Sequence, residues 1–237
     1  TPPGACSVGV ISIREIFTPG LPLKNKKVVV TAGPTRELID PVRYISNRSS
    51  GKMGYSIAEV ARDLGAEVIL ISGPVSLSPI PEISTIFIET AHEMLQEMNN
   101  IQNVDYLFMV AAVADYLPKE FSKHKIKRTK GNMVIDLVAA PDILKSITRT
   151  PNMKTIAFSL ETENGELEAI RKMNEKGSDY IILNYANEEG AGFESNTNRV
   201  SIFKKDGNKK ELELDRKDRI AAKIFDFILS ENESDLK

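Results

Sequence analysis

A chain of 237 residues, 41% hydrophobic and 27% charged, can bury a sizeable core, and no apolar run approaches the ~18 residues of a membrane span. The net charge of −2 excludes a global pull towards nucleic acid, so an anion site has to be a local cluster of lysine and arginine. The single cysteine, Cys6, rules out an intramolecular disulfide and fits a reducing cytoplasm.

Residues 1–22, with prolines at 2, 3, 19 and 22, read as a linker; one domain is expected over 23–230 and a polar tail over 231–237. Apolar and helical patterns alternate, which predicts an α/β fold: a Rossmann-like, mostly parallel sheet flanked by helices. In chain order the prediction is strand Lys27–Thr31, helix Tyr55–Leu64, strands Glu67–Ser72 and Thr85–Glu89, helix Ala91–Asn99, strand Tyr106–Val110 and helix Pro141–Thr148. Strand Thr155–Phe158, helix Gly165–Lys176, strand Tyr180–Leu183 and helix Arg216–Ser230 complete it. Most of these strands are nearly continuous in apolarity, as strands covered on both faces should be. Gly65 stands where a helix ends with positive φ, and Pro141 suits a first helical turn.

Two stretches break the alternation and read as additional antiparallel hairpins. Lys125–Lys130 and Met133–Val138 flank Gly131-Asn132; Arg199–Lys204 and Glu211–Leu214 flank Asp206-Gly207.

The chemistry concentrates between the first strand and its helix, where residues 31–54 read TAGPTRELIDPVRYISNRSSGKMG. A connection of that length needs a reason, and polarity alone does not require so many cations, glycines and hydroxyls. Ser49, Ser50, Gly51, Lys52 and Gly54 open the helix, where backbone N–H groups form an anion site that glycine lets a ligand approach. The loop is not GxxxxGK[ST], because Met53 follows the lysine and Ser46 replaces the first glycine, nor is it GxGxxG. Ala111 and Ala112 follow a strand's carboxyl end, where small residues admit a flat ring, although packing against a helix favours alanine equally. Lys172 and Lys176 share one helix face, as they would on a plain exposed helix. His92 and His124 are the only histidines, so no zinc-type ligand set exists.

GPTRE, IDPVR, ISN and SSGKMG are followed, in order, by Ala111-Ala112-Val113-Ala114-Asp115-Tyr116, Lys125-Ile126-Lys127, Pro141-Asp142-Ile143, Ala157-Phe158 and Glu161-Thr162. This series resembles phosphopantothenoylcysteine synthetase, the second half of a bifunctional coenzyme A biosynthesis protein of many bacteria, over roughly residues 23–230. The resemblance implies a CTP-dependent acid–amino-acid ligase: 4′-phosphopantothenate is activated as an acyl-cytidylate with release of pyrophosphate, and cysteine then displaces CMP. Mg²⁺ is the implied metal, held mainly by phosphates and water, so no protein ligand is assigned.

By the same resemblance Asn47 binds the acyl-nucleotide and Lys125 acts on the phosphates during activation. Arg43, Ser49, Ser50, Gly51, Lys52, Gly54, Ala111 and Ala112 become substrate positions. Asp115, Lys125, Ala140, Pro141, Asp142, Ile143, Phe158, Lys172 and Lys176 become nucleotide positions. Ala140 departs from the family's usual asparagine. A homodimer built with the hairpins is implied, as is fusion to a flavin-dependent decarboxylase domain whose tail Gly4–Val10 resembles; that flavin half lies outside this sequence. Two other readings remain: a Rossmann-type module that binds a nucleotide without chemistry, and an NAD(P)-dependent oxidoreductase, which the missing GxGxxG disfavours.

Overall fold

The apolar run Val28–Val30 becomes the middle of β1 (Lys27–Ala32), about which the sheet is laid. The computed structural model describes residues 20–128, 130–161, 164–185 and 195–234. After β1 come β2 (Arg36–Leu38), β3 (Tyr44–Ser46), α1 (Lys52–Asp63), β4 (Glu67–Ser72), β5 (Ser84–Phe87) and α2 (Ala91–Asn100). Then follow β6 (Tyr106–Met109), β7 (Tyr116–Pro118), β8 (Leu137–Ala139), α3 (Ile143–Ser146), β9 (Lys154–Glu161) and α4 (Gly165–Lys176). The chain ends through β10 (Tyr180–Tyr185), β11 (Thr197–Lys204), β12 (Lys209–Arg216) and α5 (Lys217–Ser234).

Eight strands form one sheet in the order β12-β11-β10-β9-β6-β1-β4-β5. From β5 to β10 every pairing is parallel; β11 and β12 add antiparallel at the edge. The fold is thus the predicted mostly parallel α/β sheet with antiparallel additions. Val28 and Val30 pack in one cluster with residues of α1 and α5, while Val29 packs on the other face with Met94, Leu107 and Ile181. Burial on both faces is why the strand reads as an unbroken apolar run. Phe108 of β6 meets Phe225 of α5 at 4.9 Å between ring centroids, fixing the last helix to the sheet centre.

The helix punctuation follows from local chemistry. Thr90 and Glu93 form a reciprocal capping box that starts α2. Gly65, at φ +94°, follows the end of α1 in the left-handed region. α5 continues through Ser234, past the predicted end.

Two expectations change, and one element is added. Residues 125–130 and 133–138 do not pair with each other among the described residues. Instead β8 pairs with β7, and the stretch between them crosses as a long loop. The reason is a long-range contact: the N–H and carbonyl of Ile126, which a hairpin would use, are taken by Asp40 and Arg43. The helix predicted over Pro141–Thr148 is the single turn α3, capped by Asp142. Arg149 reaches back to the Leu144 carbonyl, and the Thr148 N–H turns to Asn99 instead, so the two groups of the next helical hydrogen bond are both engaged elsewhere. Finally, the loop after β1 contains a short hairpin of its own, β2–β3. The second predicted hairpin is present as β11–β12, longer than expected and hydrogen-bonded to the sheet through β10.

The backbone past β4 lies hard against the backbone past β1: a Cβ on Gly73 would stand 1.8 Å from the Pro34 carbonyl oxygen. Gly73→Ala is therefore expected to destabilise the fold by at least the ~1–3 kcal/mol of an overpacked core, seen as a lower urea midpoint with an unchanged slope.

Candidate active site in the cleft at the strand ends

The parallel strands β1, β6, β9 and β10 end on one rim, and there a cleft of about 580 Å³ opens. Its walls come from the loop before α1, the loop after β6, the turn leading into α3, and one face of α4; Asn184, Asn198 and Lys217 close the end nearest α5.

The loop after β6 is held by side chains where the sheet has run out. The Thr31 hydroxyl accepts the N–H groups of Val110 and Ala111, each at 3.1 Å. The Thr35 hydroxyl accepts that of Ala114 at 3.0 Å. Asn47 donates its Nδ2 to the carbonyls of Ala112 at 2.9 Å and Val113 at 3.3 Å, tying the two walls together. This leaves a slot floored by small residues, with Phe158 half-buried nearby.

α1 starts at Gly51, φ +77°, with no side-chain cap and no acidic residue in its first turn. An uncapped, positively polarised helix start facing a cleft is suited to an anion. Gly54 lets that helix lie against β1, since a Cβ there would come 2.6 Å from the Ala32 Cβ.

Cations surround this end. Lys52 donates its Nζ to Asn196 Oδ1 at 2.7 Å. Lys217, only 6% exposed, donates its Nζ to the Ser195 carbonyl at 2.7 Å. Burial, and then the charge of Lys52, push the Lys217 ammonium down to about 8. Lys172 bonds the carboxylate of Glu161 and lies 3.4 Å from Ser159 Oγ. The side-chain oxygens of Asn184 and Asn198 are buried without a hydrogen-bond partner, and both residues line the cleft.

The cleft brings together Asn47, Ser49, Ser50, Gly51, Lys52, Gly54, Ala111, Ala112, Asp115, Ala140, Pro141, Asp142, Ile143, Phe158, Lys172 and Lys176. Arg43 and Lys125 are not in its lining. Arg43 grips the Asp40 carboxylate and donates Nη2 to the Ile126 carbonyl at 2.7 Å, and Lys125 is exposed on the adjoining segment. The sequence reading missed Lys217, Asn184 and Asn198. Lys217 stands in the hydrophilic run Asp215–Arg219, which reads as a solvated helix start, and only the return of α5 along α1 buries it. His92 and His124 are exposed.

The family model described as DNA/pantothenate metabolism flavoprotein C-terminal domain matches residues 23–231. The coenzyme A biosynthesis bifunctional protein CoaBC of Bacillus subtilis (strain 168) is 44% identical over 196 residues, 81% of this chain and 48% of that protein. Its counterpart in Escherichia coli (strain K12) is 39% identical over 220 residues, 90% of this chain and 54% of that protein. The chain thus spans about half the length of these relatives. A crystal structure of the C-terminal domain of CoaBC superposes with a TM-score of 0.77 at 40% identity, covering 91% of this chain and all of that one. A Cab2 mutant in complex with phosphopantothenate-cysteine shares the fold, with a TM-score of 0.71 at 17% identity over 89% of each chain.

A lysine depressed by burial makes a directional prediction. Between about pH 8 and 10.5 the unfolded chain holds the Lys217 proton more often than the folded one, so stability linked to this group rises with pH across that window. Relative to Lys217→Met, the wild type is expected to gain on the order of 2–3 kcal/mol between pH 7.5 and 10.5, measured by urea unfolding at each pH.

Proposed function

Because the chain belongs to the DNA/pantothenate metabolism flavoprotein C-terminal domain family, we propose that it is a phosphopantothenate–cysteine ligase of coenzyme A biosynthesis, using CTP. The observation that carries this reading is one cleft joining a bare helix N-terminus, a ring of lysines and a slot of small residues. A carboxylate is a poor acyl donor, and every group in its activation by a nucleotide is anionic. Such a reaction needs positive charge and N–H donors placed where charge develops.

In the proposed first step a carboxylate oxygen of 4′-phosphopantothenate attacks the α-phosphorus of CTP, and the bond to the pyrophosphate oxygen breaks. In the second, the cysteine nitrogen attacks the acyl carbon, loses a proton, and CMP leaves with its oxygen. The start of α1, with Ser49, Ser50 and Lys52, receives phosphate oxygens. Ala111 and Ala112 let the reacting groups lie against the backbone. Asp115, residues 140–143, Phe158, Lys172 and Lys176 hold the nucleoside. Asn47, whose Nδ2 is committed to two carbonyls, offers its Oδ1 to the acyl-nucleotide. Lys125 follows the charge on the departing pyrophosphate as a mobile ammonium. Arg43 serves the substrate side through the segment that it grips.

Mg²⁺ fits as an ion carried in by the triphosphate. The carboxylates of Asp115 and Asp142 line the cleft, while among the described residues no cluster of three potential ligands forms a cage. Bound there it would supply positive charge to the phosphate oxygens.

The chain is also proposed to work as a homodimer. Large apolar side chains stand exposed from β7 to β8, among them Tyr116 at 58% and Val134 at 85%. Since the relatives are about twice as long, we propose that the domain operates beside a flavin-dependent decarboxylase domain in the cytoplasm. No described helix is long and apolar enough to cross a membrane.

Pyrophosphate release with 4′-phosphopantothenate is expected to be faster with CTP than with ATP at equal concentration. A clear ATP preference would reassign the nucleotide, and release with neither would leave a binding module. Val134→Asp should turn a dimer into a monomer by light scattering at micromolar concentration, with little change in melting temperature.

A further inference from the structure

The loop after β1 and the segment that carries Lys125 lie more than eighty residues apart in sequence, yet one carboxylate joins them. Asp40 is fully buried, and its two oxygens do different work. Oδ1 accepts the N–H groups of Val42 at 2.8 Å and Arg43 at 2.9 Å, closing the turn between β2 and β3. Oδ2 accepts the Ile126 N–H at 3.0 Å and the Arg43 guanidinium through Nε at 3.0 Å and through Nη2. The same Nη2 donates to the Ile126 carbonyl at 2.7 Å. Both backbone polar groups of Ile126 are therefore held by a single Asp–Arg pair. A further strap runs from the Ser122 N–H to the Ile39 carbonyl at 3.0 Å. Ile126 is flanked directly by Lys125 and Lys127.

We propose that Asp40, acting through Arg43, is the positioning residue for Lys125: it fixes the backbone at Ile126 and so sets where the Lys125 ammonium can reach. The assignment rests on the ligase reading given above and adds to it a residue that touches no substrate. Its geometry fits the task. Two charge-assisted contacts, one on each of the peptide units that flank the Ile126 Cα, restrain both position and rotation, whereas the lysine side chain keeps its own freedom to follow moving charge. The Arg43 hydrogen bond holds the Asp40 carboxyl well below the usual carboxylate range, with the backbone N–H groups adding to that effect against burial. The latch is therefore fully ionised throughout the pH range in which an amine nucleophile works.

Asp40→Asn separates the two functions of the carboxylate. The Asn oxygen can keep the Val42 and Arg43 N–H groups and hence the turn. The amide nitrogen then faces two donors, the Ile126 N–H and the guanidinium, and the latch opens. Three measurements test the idea: pyrophosphate release in a single turnover without cysteine, the rate of tryptic cleavage after Lys125, Lys127 and Arg128, and thermal unfolding.

The expected result for Asp40→Asn is faster cleavage at those three bonds, pyrophosphate release slowed by about 10²-fold as for a misplaced catalytic group, and an unfolding transition that stays cooperative at a lower temperature, because buried donors lose their acceptor. In the Lys125→Gln background the same substitution should cost nothing more, because its whole effect passes through the lysine. Additive losses in the double variant would overturn the proposal, as would unchanged cleavage, or a Lys125→Gln enzyme that releases pyrophosphate at the wild-type rate. That last outcome leaves the ligase reading standing, since the wild type still reacts. A wild type that releases pyrophosphate from neither CTP nor ATP sinks the ligase reading and, with it, the role of Lys125. Should Asp40→Asn fail to fold, Arg43→Gln keeps the carboxylate on the Ile126 N–H, frees the carbonyl, and is expected to behave the same way in all three measurements.

Discussion

The cleft opens where the regular ladder between β1 and β6 ends at Thr31 and Met109, past which the chains run on and meet again at the isolated bridge Pro34–Ala112. Past the last rung of a parallel ladder, each N–H needs an acceptor that is not the neighbouring strand. Here the acceptors are the hydroxyls of Thr31 and Thr35, both fully buried, which between them take three N–H groups of the loop after β6. A hydroxyl is short enough to stay within its own strand and can accept twice. The loop is therefore rigid without being part of the sheet, and the gap it leaves is the slot beside Ala111 and Ala112. Asn47 completes the arrangement from the opposite wall. The remaining site geometry, from the bare start of α1 to the residues before α3, is referred to this fixed edge.

Charge at the α5 end shows what the fold gives up for the site. Lys217 is buried against a carbonyl with a second lysine close enough to lower its proton affinity, an arrangement that costs stability while no anion is bound. Two amide oxygens, on Asn184 and Asn198, are buried near it without partners. Unpaired buried polar atoms are uncommon and each costs about 1–3 kcal/mol. Asn184 and Asn198 both line the cleft, where as acceptors they call for a donor on the occupant, while the uncapped helix start and the lysines call for its anionic groups.

Much of this was legible in the chain. β1, β4, β6, β9 and β10 read as strands because burial on both faces demands unbroken apolar runs. The phosphate-suited loop read as such from its cations, glycines and hydroxyls at a helix start; the structure adds that Gly51 takes a positive φ and Gly54 admits a close helix–strand approach. What stayed hidden depends on contacts between distant segments. Lys217 looks solvated until α5 packs along α1. The run after Pro141 has helical periodicity, and only Arg149 and Asn99, acting from outside, cut it to one turn. Gly131-Asn132 between polar ribbons satisfies the local pattern of a hairpin, but local pattern does not reveal that Ile126 already has partners.

That last failure reveals how the two long insertions of the parallel fold are related. The hairpin β2–β3 interrupts the passage from β1 to α1, and the ladder β7–β8 interrupts the passage from β6 to α3. In sequence they are independent; in the structure β2 touches β7 and Asp40 with Arg43 clasps Ile126. The loop between β7 and β8 is pinned at its base, where the Lys119 N–H meets the Asp136 carbonyl at 2.9 Å, and again at Ser122 and Ile126. Its apolar residues from Met133 onward stand exposed beyond those pins. Lys125 therefore sits on the limb of the loop held at Ser122 and Ile126, and the exposed apolar residues lie on the other limb, towards Asp136. A segment built this way can present an apolar surface to a second molecule without passing the disturbance to the lysine, because the peptide next to that lysine is anchored to a buried charge in the other insertion.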